Sequence, residues 1–152
     1  MRPGPPVRFR RTFCAAVLLL IAGSGVSRAQ CVGFLEQPVT PGGTNGATSV
    51  HAADVDGDGD LDVLTASFND DMIAWHENRP GEDPQWRIHP ISTEANGATS
   101  VFAADINNDG AVDVLSASAY DDMIAWYQNL GGSPPAFIRR VITRGAAHAR
   151  SV

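Results

Sequence analysis

The feature that most constrains this chain is an internal repeat of 51 residues. The first copy covers residues 45–78 and reads NGATSVHAADVDGDGDLDVLTASFNDDMIAWHEN. The second covers residues 96–129 and reads NGATSVFAADINNDGAVDVLSASAYDDMIAWYQN, so 23 of 34 aligned positions are identical. The register continues further, because Trp86 is followed 51 residues later by Phe137. A repeat of this length buries its apolar face only against its neighbours, so the repeat unit decides the fold.

Local signals within one unit predict four short β-strands. They are Ser49–Val55, Val63–Phe68, Met72–Glu77 and Trp86–Ser92, and polar turns rich in Gly, Asp or Pro separate them. No window shows a sustained apolar period of 3.6 residues, so helices should be scarce outside the leader. Four short strands in a unit of this size are typical of a propeller blade. We therefore predict an all-β fold, an incomplete β-propeller with blades of four antiparallel strands.

The repeat register also predicts the domain organisation. The repeat region should cover residues 30–152, with units at about 35–85 and 86–136 and a partial unit at 137–152. Propellers typically close with 4–8 blades, so we expect a longer natural protein or a ring assembled from several chains. Taken alone, residues 30–152 should be marginally stable or prone to association, because repeat arrays usually need about three units.

The first 29 residues have the three parts of a secretory signal peptide. Four arginines lie within the first 11 residues, Phe13–Gly23 is an apolar run, and Ser27-Arg28-Ala29 is a small-x-small cleavage site. The apolar run is too short to span a bilayer, which takes about 20 residues. We predict a signal peptide over residues 1–29 and a secreted or cell-surface product without a membrane span. A buried or membrane-anchoring N-terminal helix is the alternative.

The charge balance excludes one class of partner. The chain has 11 basic residues, all Arg, and 17 acidic ones, and only 6 of the Arg lie beyond residue 29. Such a surface repels phosphate backbones, so we expect no nucleic-acid partner. An extracellular protein or a carbohydrate remains open as the ligand.

The acidic residues concentrate between the first and second predicted strands of each unit. This loop reads DVDGDGDLD over Asp54–Asp62 and DINNDGAVD over Asp105–Asp113. Both copies have oxygen-bearing side chains at loop positions one, three, five and nine, and glycine at position six. Hard cations such as Ca²⁺ take six to eight oxygen ligands, which such a loop can supply around its turn. An EF-hand is unlike this loop, because it needs Glu at position twelve, where Thr65 and Ser116 stand.

A solvated acidic turn is the alternative interpretation of these loops. Against it, five carboxylates within nine residues repel each other when no cation is present. The same pattern also recurs in identical repeat register. We therefore predict a Ca²⁺ site in each loop.

The two loops, with AAD before them and DVL after them, resemble the FG-GAP (VCBS-type) repeat family over about residues 35–152. The resemblance implies a β-propeller with Ca²⁺ in the loop of each blade. In the first loop the implied ligands are Asp54, Asp56, Asp58, Asp60 through its backbone carbonyl, and Asp62. In the second loop they are Asp105, Asn107, Asp109, Ala111 through its backbone carbonyl, and Asp113.

Other repeated residues have structural interpretations. Trp75 and Trp126 recur in register, which predicts packing between blades or sheets in preference to sugar stacking. The pairs Asp70-Asp71 and Asp121-Asp122 should be turn and capping residues, with an auxiliary cation role as the alternative. His51 stands where the second unit has a phenylalanine, so we interpret it as a partly buried packing residue.

No catalytic motif stands out in this chain. It has no Gly-x-Ser-x-Gly elbow, no phosphate-binding glycine-rich loop and no CxxC pair. We favour a secreted calcium-binding propeller module with a non-catalytic binding, adhesion or structural role. The alternative is the N-terminal part of a secreted propeller enzyme, of polysaccharide lyase or phosphodiesterase type, with catalytic residues outside this chain.

Overall fold

A computed structural model describes residues 44–81 and 85–152, so the predicted signal peptide lies outside the described residues. This part of the chain forms eight β-strands. They are β1 (Ala47–Ala53), β2 (Asp62–Ser67), β3 (Met72–Asn78), β4 (Trp86–Ser92), β5 (Ala98–Ala104), β6 (Asp113–Ser118), β7 (Met123–Gly132) and β8 (Pro135–Thr143).

Consecutive strands pair antiparallel in two separate four-stranded sheets. We call the sheet β1-β2-β3-β4 blade 1 and the sheet β5-β6-β7-β8 blade 2. The predicted all-β class and the four strands per unit are confirmed, and the architecture is that of incomplete propeller blades. Within residues 44–81 and 85–152, no helix is long and apolar enough to cross a membrane.

The strand bounds differ from the predicted ones mainly at the first strand. This strand begins and ends two residues earlier than predicted, at Ala47 and Ala53. It ends there because the carboxylate of Asp54 accepts hydrogen bonds from amides of the following loop, which turns the chain out of the sheet. The other three strands of blade 1 lie within one residue of their predicted bounds.

The core lies between the two blades. Strand β5 packs across β1 and β2. Blade 1 contributes Leu64 and Trp75 to the buried cluster, and blade 2 contributes Val101, Met123 and Tyr127. The side chain of Trp75 is fully buried, which confirms its predicted role in packing. Trp126 is only half-buried, and the guanidinium of Arg140 lies 5.5 Å from the centre of its ring. Burial of such side chains is the main source of stability for a repeat that has no core of its own.

Hydrogen bonds that recur in register also join successive units. Thr48 Oγ1 lies 2.8 Å from the carbonyl oxygen of Ala98, and Thr99 Oγ1 lies 2.7 Å from that of Ala149. A second recurring pair joins a serine hydroxyl to a backbone amide of the next unit. Residues 149–152 therefore contact blade 2 through the same bonds by which β5 contacts blade 1.

Candidate metal centre

The two aspartate loops connect β1 to β2 and β5 to β6, at the same end of both blades. In the first loop Asp54 accepts hydrogen bonds from the amides of Gly57, at 2.8 Å, and Gly59, at 3.1 Å. Both glycines have left-handed backbones, with φ of 78° and 97°. No atom lies near the position that a Cβ would take, so the backbone angle, not space, favours glycine here.

Three of the predicted ligands lie together in this loop. Asp54, Asp56 and Asp58 each offer a carboxylate oxygen, and these oxygens lie within 4.8 Å of one another. Burial raises the pKa of Asp56, and the negative charges of Asp58 and Asp62 raise it further. The group is thus a set of hard oxygen donors at which a cation would offset repulsion, and this donor set fits Ca²⁺. Asp60 contributes a backbone amide that donates to Asp58 at 2.8 Å.

The ninth loop residue has a different environment in both loops. Asp62 and Asp113 are 1 % and 0 % exposed. Asp62 accepts hydrogen bonds from the amides of Val55, at 3.1 Å, and Asn78, at 2.8 Å. Asp113 accepts the equivalent bonds at 3.2 Å and 2.8 Å. Both carboxylates therefore tie the start of their loop to the third strand of their blade, and metal ligation by them stays a prediction.

Sequence reasoning missed the asparagines that partner these buried aspartates. The side chain of Asn129, which is 2 % exposed, donates to the carbonyl of Val112 in its own loop and to that of Val55 in blade 1. In blade 1, Asn78 donates to the carbonyl of Leu61. The available signal was an asparagine at the same place in both repeats, 16 residues after the ninth loop position.

The second loop has the same shape but different contacts. Asp105 accepts hydrogen bonds from the amides of Asp109, at 3.1 Å, and Gly110, at 2.9 Å. The Asn107 amide donates to the Asp109 carboxylate at 2.7 Å. The backbone amide of Ala111 and the side chain of Asn107 lower the pKa of Asp109. The hydrogen bond between Asn107 and Asp109 thus takes the place of the carboxylates of Asp56 and Asp58 in the first loop.

His51 and the repeated Asp-Asp pairs also make contacts that support the structure. The rings of His51 and Phe102 pack with centroids 4.7 Å apart, which confirms the predicted packing role of His51. Asp71 accepts a hydrogen bond from the amide of Gly97 at 2.7 Å, and Asp122 accepts one from the amide of His148 at 2.8 Å. These two aspartates thus cap the loop that begins the next unit, as predicted.

Comparison with protein families found a match to the FG-GAP-like repeat over residues 54–116. Comparison with curated proteins found no match, and neither did comparison with solved structures. The matched range contains both aspartate loops, Asp54–Asp62 and Asp105–Asp113. Two antiparallel four-stranded blades and this match agree with the resemblance seen in the loop motifs. The match over residues 54–116 therefore supports an FG-GAP-like repeat family for this part of the chain.

Proposed function

We propose that the chain is a secreted, calcium-binding β-propeller module with a non-catalytic binding, adhesion or structural role. The observation that carries the proposal is the group of three carboxylates at Asp54, Asp56 and Asp58, whose oxygens lie within 4.8 Å of one another. The group lies in a region that matches a propeller-type repeat. The apolar run and cleavage pattern of the first 29 residues support secretion.

Each aspartate loop would bind one Ca²⁺ ion by wrapping around it. Asp54, Asp56 and Asp58 would provide side-chain oxygens in the first loop, and Asp105, Asn107 and Asp109 would do so in the second. Asp60 and Ala111 would contribute backbone carbonyls, which explains how the seventh position tolerates either side chain. When bound, the ion supplies positive charge that offsets carboxylate repulsion. Its role here is to stabilise the blades, because a ligand that binds only the folded state raises the free energy of unfolding.

The proposal is tested by the melting temperature of the full chain with Ca²⁺ and with EDTA. Extracellular sites of this kind have Kd values of about 10⁻⁴–10⁻³ M. At 10 mM Ca²⁺ each site should therefore stabilise the fold by about 1–3 kcal/mol. The double variant Asp56→Ala/Asp58→Ala should remove the contribution of the first loop.

Asp70→Ala is the matched control, because Asp70 lies at the other end of blade 1 and accepts a hydrogen bond from the amide of Asn45. This variant should melt lower in both conditions and keep the full difference between Ca²⁺ and EDTA. Equal melting in Ca²⁺ and EDTA, for protein shown by elemental analysis to be metal-loaded and then metal-free, would contradict the proposal.

A further inference from the structure

A cavity of about 450 Å³ lies at the end of the blades opposite the aspartate loops. The loops join the end of β1 to the start of β2, whereas the cavity lies beside Thr48, near the start of β1, and Phe68, just after β2. Its volume is within the range of about 300–1,000 Å³ that small-molecule sites occupy. The site is therefore separate from the candidate metal centre.

The wall of the cavity comes from three successive units. Thr48, Thr99 and Arg150 stand at the same repeat position, 51 residues apart, and all three line the cavity. The first two units have threonine there, whereas the third has arginine. Tyr120 likewise stands where blade 1 has Asn69. Most aligned positions of the units are identical, but the positions of Arg150 and Tyr120 differ between units. The same combination of lining residues therefore does not recur at the other junction of the described units.

Two aromatic residues, Phe68 and Tyr120, line the cavity. Phe68 and Tyr120 pack edge to face, with centroids 5.0 Å apart. Both rings lie against Gly97, where a Cβ would come within 2.9 Å of the Tyr120 ring and 3.2 Å of the Phe68 ring. Tyr120 is nevertheless 67 % exposed. An exposed ring held in place by a second ring presents an apolar surface with a polar tip.

Two residues with hydrogen-bond donors also line the cavity. They are Arg150, which has a guanidinium group, and His148, which has an imidazole. His148 has a left-handed backbone, with φ of 53°, and its amide donates to Asp122. Gly46 and Gly97, at the same repeat position in the first two units, have the same left-handed backbone, so this angle belongs to the turn of the repeat. Among the described residues that line the cavity none is acidic, in a chain with 17 acidic residues.

We propose that this cavity binds an acidic saccharide through a uronic acid unit. The apolar face of the sugar ring contacts Tyr120 and Phe68, and the carboxylate pairs with the guanidinium of Arg150, whose fork of N–H groups matches a carboxylate. Thr48 and Thr99 line the same space; their hydroxyls donate to backbone carbonyls and keep lone pairs that accept hydrogen bonds from sugar hydroxyls. This inference deepens the proposed binding role by naming the class of ligand.

The experiment titrates the full chain, in excess Ca²⁺, with three small probes and follows binding by NMR. Glucuronate has both the ring and the carboxylate, glucuronamide has the same shape without the charge, and acetate has the carboxylate alone. Glucuronate should bind at least about tenfold more tightly than the other two, because both halves of the cavity are used. Equal affinity for glucuronate and glucuronamide, or no binding of glucuronate, would overturn the proposal.

The roles of Arg150 and Tyr120 are tested by variants that carry the residue another unit has at the same repeat position. Arg150→Thr should weaken glucuronate binding at least about tenfold and leave glucuronamide unchanged. Tyr120→Asn should weaken both sugars, and Arg87→Gln, on the exposed part of β4, should change neither. If Arg150→Thr melts lower than the natural chain, Arg150→Gln replaces it.

Unchanged glucuronate affinity in the arginine variants would overturn the proposal. The melting difference between Ca²⁺ and EDTA is measured on the same samples. A preserved difference without glucuronate binding removes this inference alone, whereas glucuronate binding without that difference removes only the calcium role.

Discussion

The two aspartate loops share one backbone shape but balance their charges in different ways. In blade 1, Asp54, Asp56 and Asp58 gather their carboxylates within 4.8 Å, and the pKa of Asp56 is raised by burial and by neighbouring negative charge. In blade 2, the Asn107 amide donates to Asp109, and the pKa of Asp109 is lowered. The first loop thus places three carboxylates close together, whereas in the second loop the side-chain amide of Asn107 bonds one of the carboxylates.

The blades differ in a similar way inside the core. His76 is buried in blade 1 and lies 2.9 Å from the hydroxyl of Thr65. Blade 2 has Tyr127 and Ser116 at these two positions, with their hydroxyls 3.3 Å apart. Both residues of the pair differ between the blades, and the contact between them is kept. The blade 1 pair contains a histidine that can take up a proton in acid, whereas the blade 2 pair contains only hydroxyl groups. These differences therefore give two copies of one fold a different loop charge and a different sensitivity to acid.

The largest expected effect compares the buried aspartates, Asp113 in blade 2 and Asp62 in blade 1. Asp113→Ala leaves two amides without their acceptor and releases Asn129, whose side chain also bonds Val55 across the blades. Each unsatisfied buried group costs about 1–3 kcal/mol, so we expect a loss of about 4 kcal/mol. Asp62→Ala should cost at least about 1 kcal/mol less, because among the described residues the side chain of Asn78 bonds Leu61 and Gln85 of its own blade.

This comparison is measured by urea unfolding in EDTA, which removes any contribution from bound metal. Asp113→Asn is the control, since it keeps one acceptor oxygen and should recover part of the loss. Equal costs of the two alanine variants would show that the bond from Asn129 to Val55 does not couple the blades.

The second effect is the response of blade 1 to acid. Burial lowers the pKa of His76 to about 4, and the nearby His89 adds to the shift. Its Nδ1 has no partner among the described residues, so a proton there would add an unpaired charge to the core. The unfolded chain takes up this proton near pH 6.5 and the folded chain only near pH 4. Stability should therefore be full above about pH 6.5 and fall by about 3 kcal/mol as the pH drops to 4.

The double variant Thr65→Ser/His76→Tyr copies the blade 2 pair and should remove this part of the pH dependence. His51→Phe copies blade 2 at a partly exposed histidine and serves as the control, with the pH dependence kept. The measurement is the free energy of unfolding of each variant at pH 7 and at pH 4. A double variant that loses as much stability in acid as the natural chain would exclude His76 as the cause.

Much of this fold follows from the sequence because it depends on spacing. The repeat register predicts the four strands of each blade, and the alternation of Asp and Gly predicts that Asp54, Asp56 and Asp58 gather. The burial of Asp62 does not follow, because a fifth aspartate in an acidic loop looks like the other four. Its partner amide belongs to Asn78, 16 residues away, and is brought near only when β3 pairs with β2. Contacts between units, such as that of Asn129 with Val55, depend on how the blades pack.

A smaller effect is expected from exchanging the charge patterns of the loops. Asn107→Asp adds a third carboxylate to the side chains of Asp105 and Asp109, so the variant should melt lower in EDTA and gain more from Ca²⁺. A like charge at about 4 Å in water corresponds to about 1 kcal/mol. Asn108→Asp adds the same charge at the fourth loop position, which is not a predicted ligand, and should not gain from Ca²⁺. If both variants respond equally, net charge and not a site explains the effect.

The smallest effect concerns the capping aspartates at the junctions of the units. Asp71 accepts the amide of Gly97, which is partly buried, whereas Asp122 accepts that of His148, which is exposed. A hydrogen bond contributes about 0.5–1.5 kcal/mol, and less where water can replace it. The lost bond should therefore cost about 1 kcal/mol in Asp71→Ala and about 0.5 kcal/mol in Asp122→Ala, and amide exchange should speed up at Gly97 and His148 respectively. Alanine at these left-handed backbones adds strain of about 1 kcal/mol at both sites, so the difference between the two variants is kept. Asn variants keep the acceptor and tolerate the left-handed backbone of both sites, so they should lose less than the Ala variants. Exchange at Gly97 that is unaffected by Asp71→Ala would show that blade packing alone holds this junction.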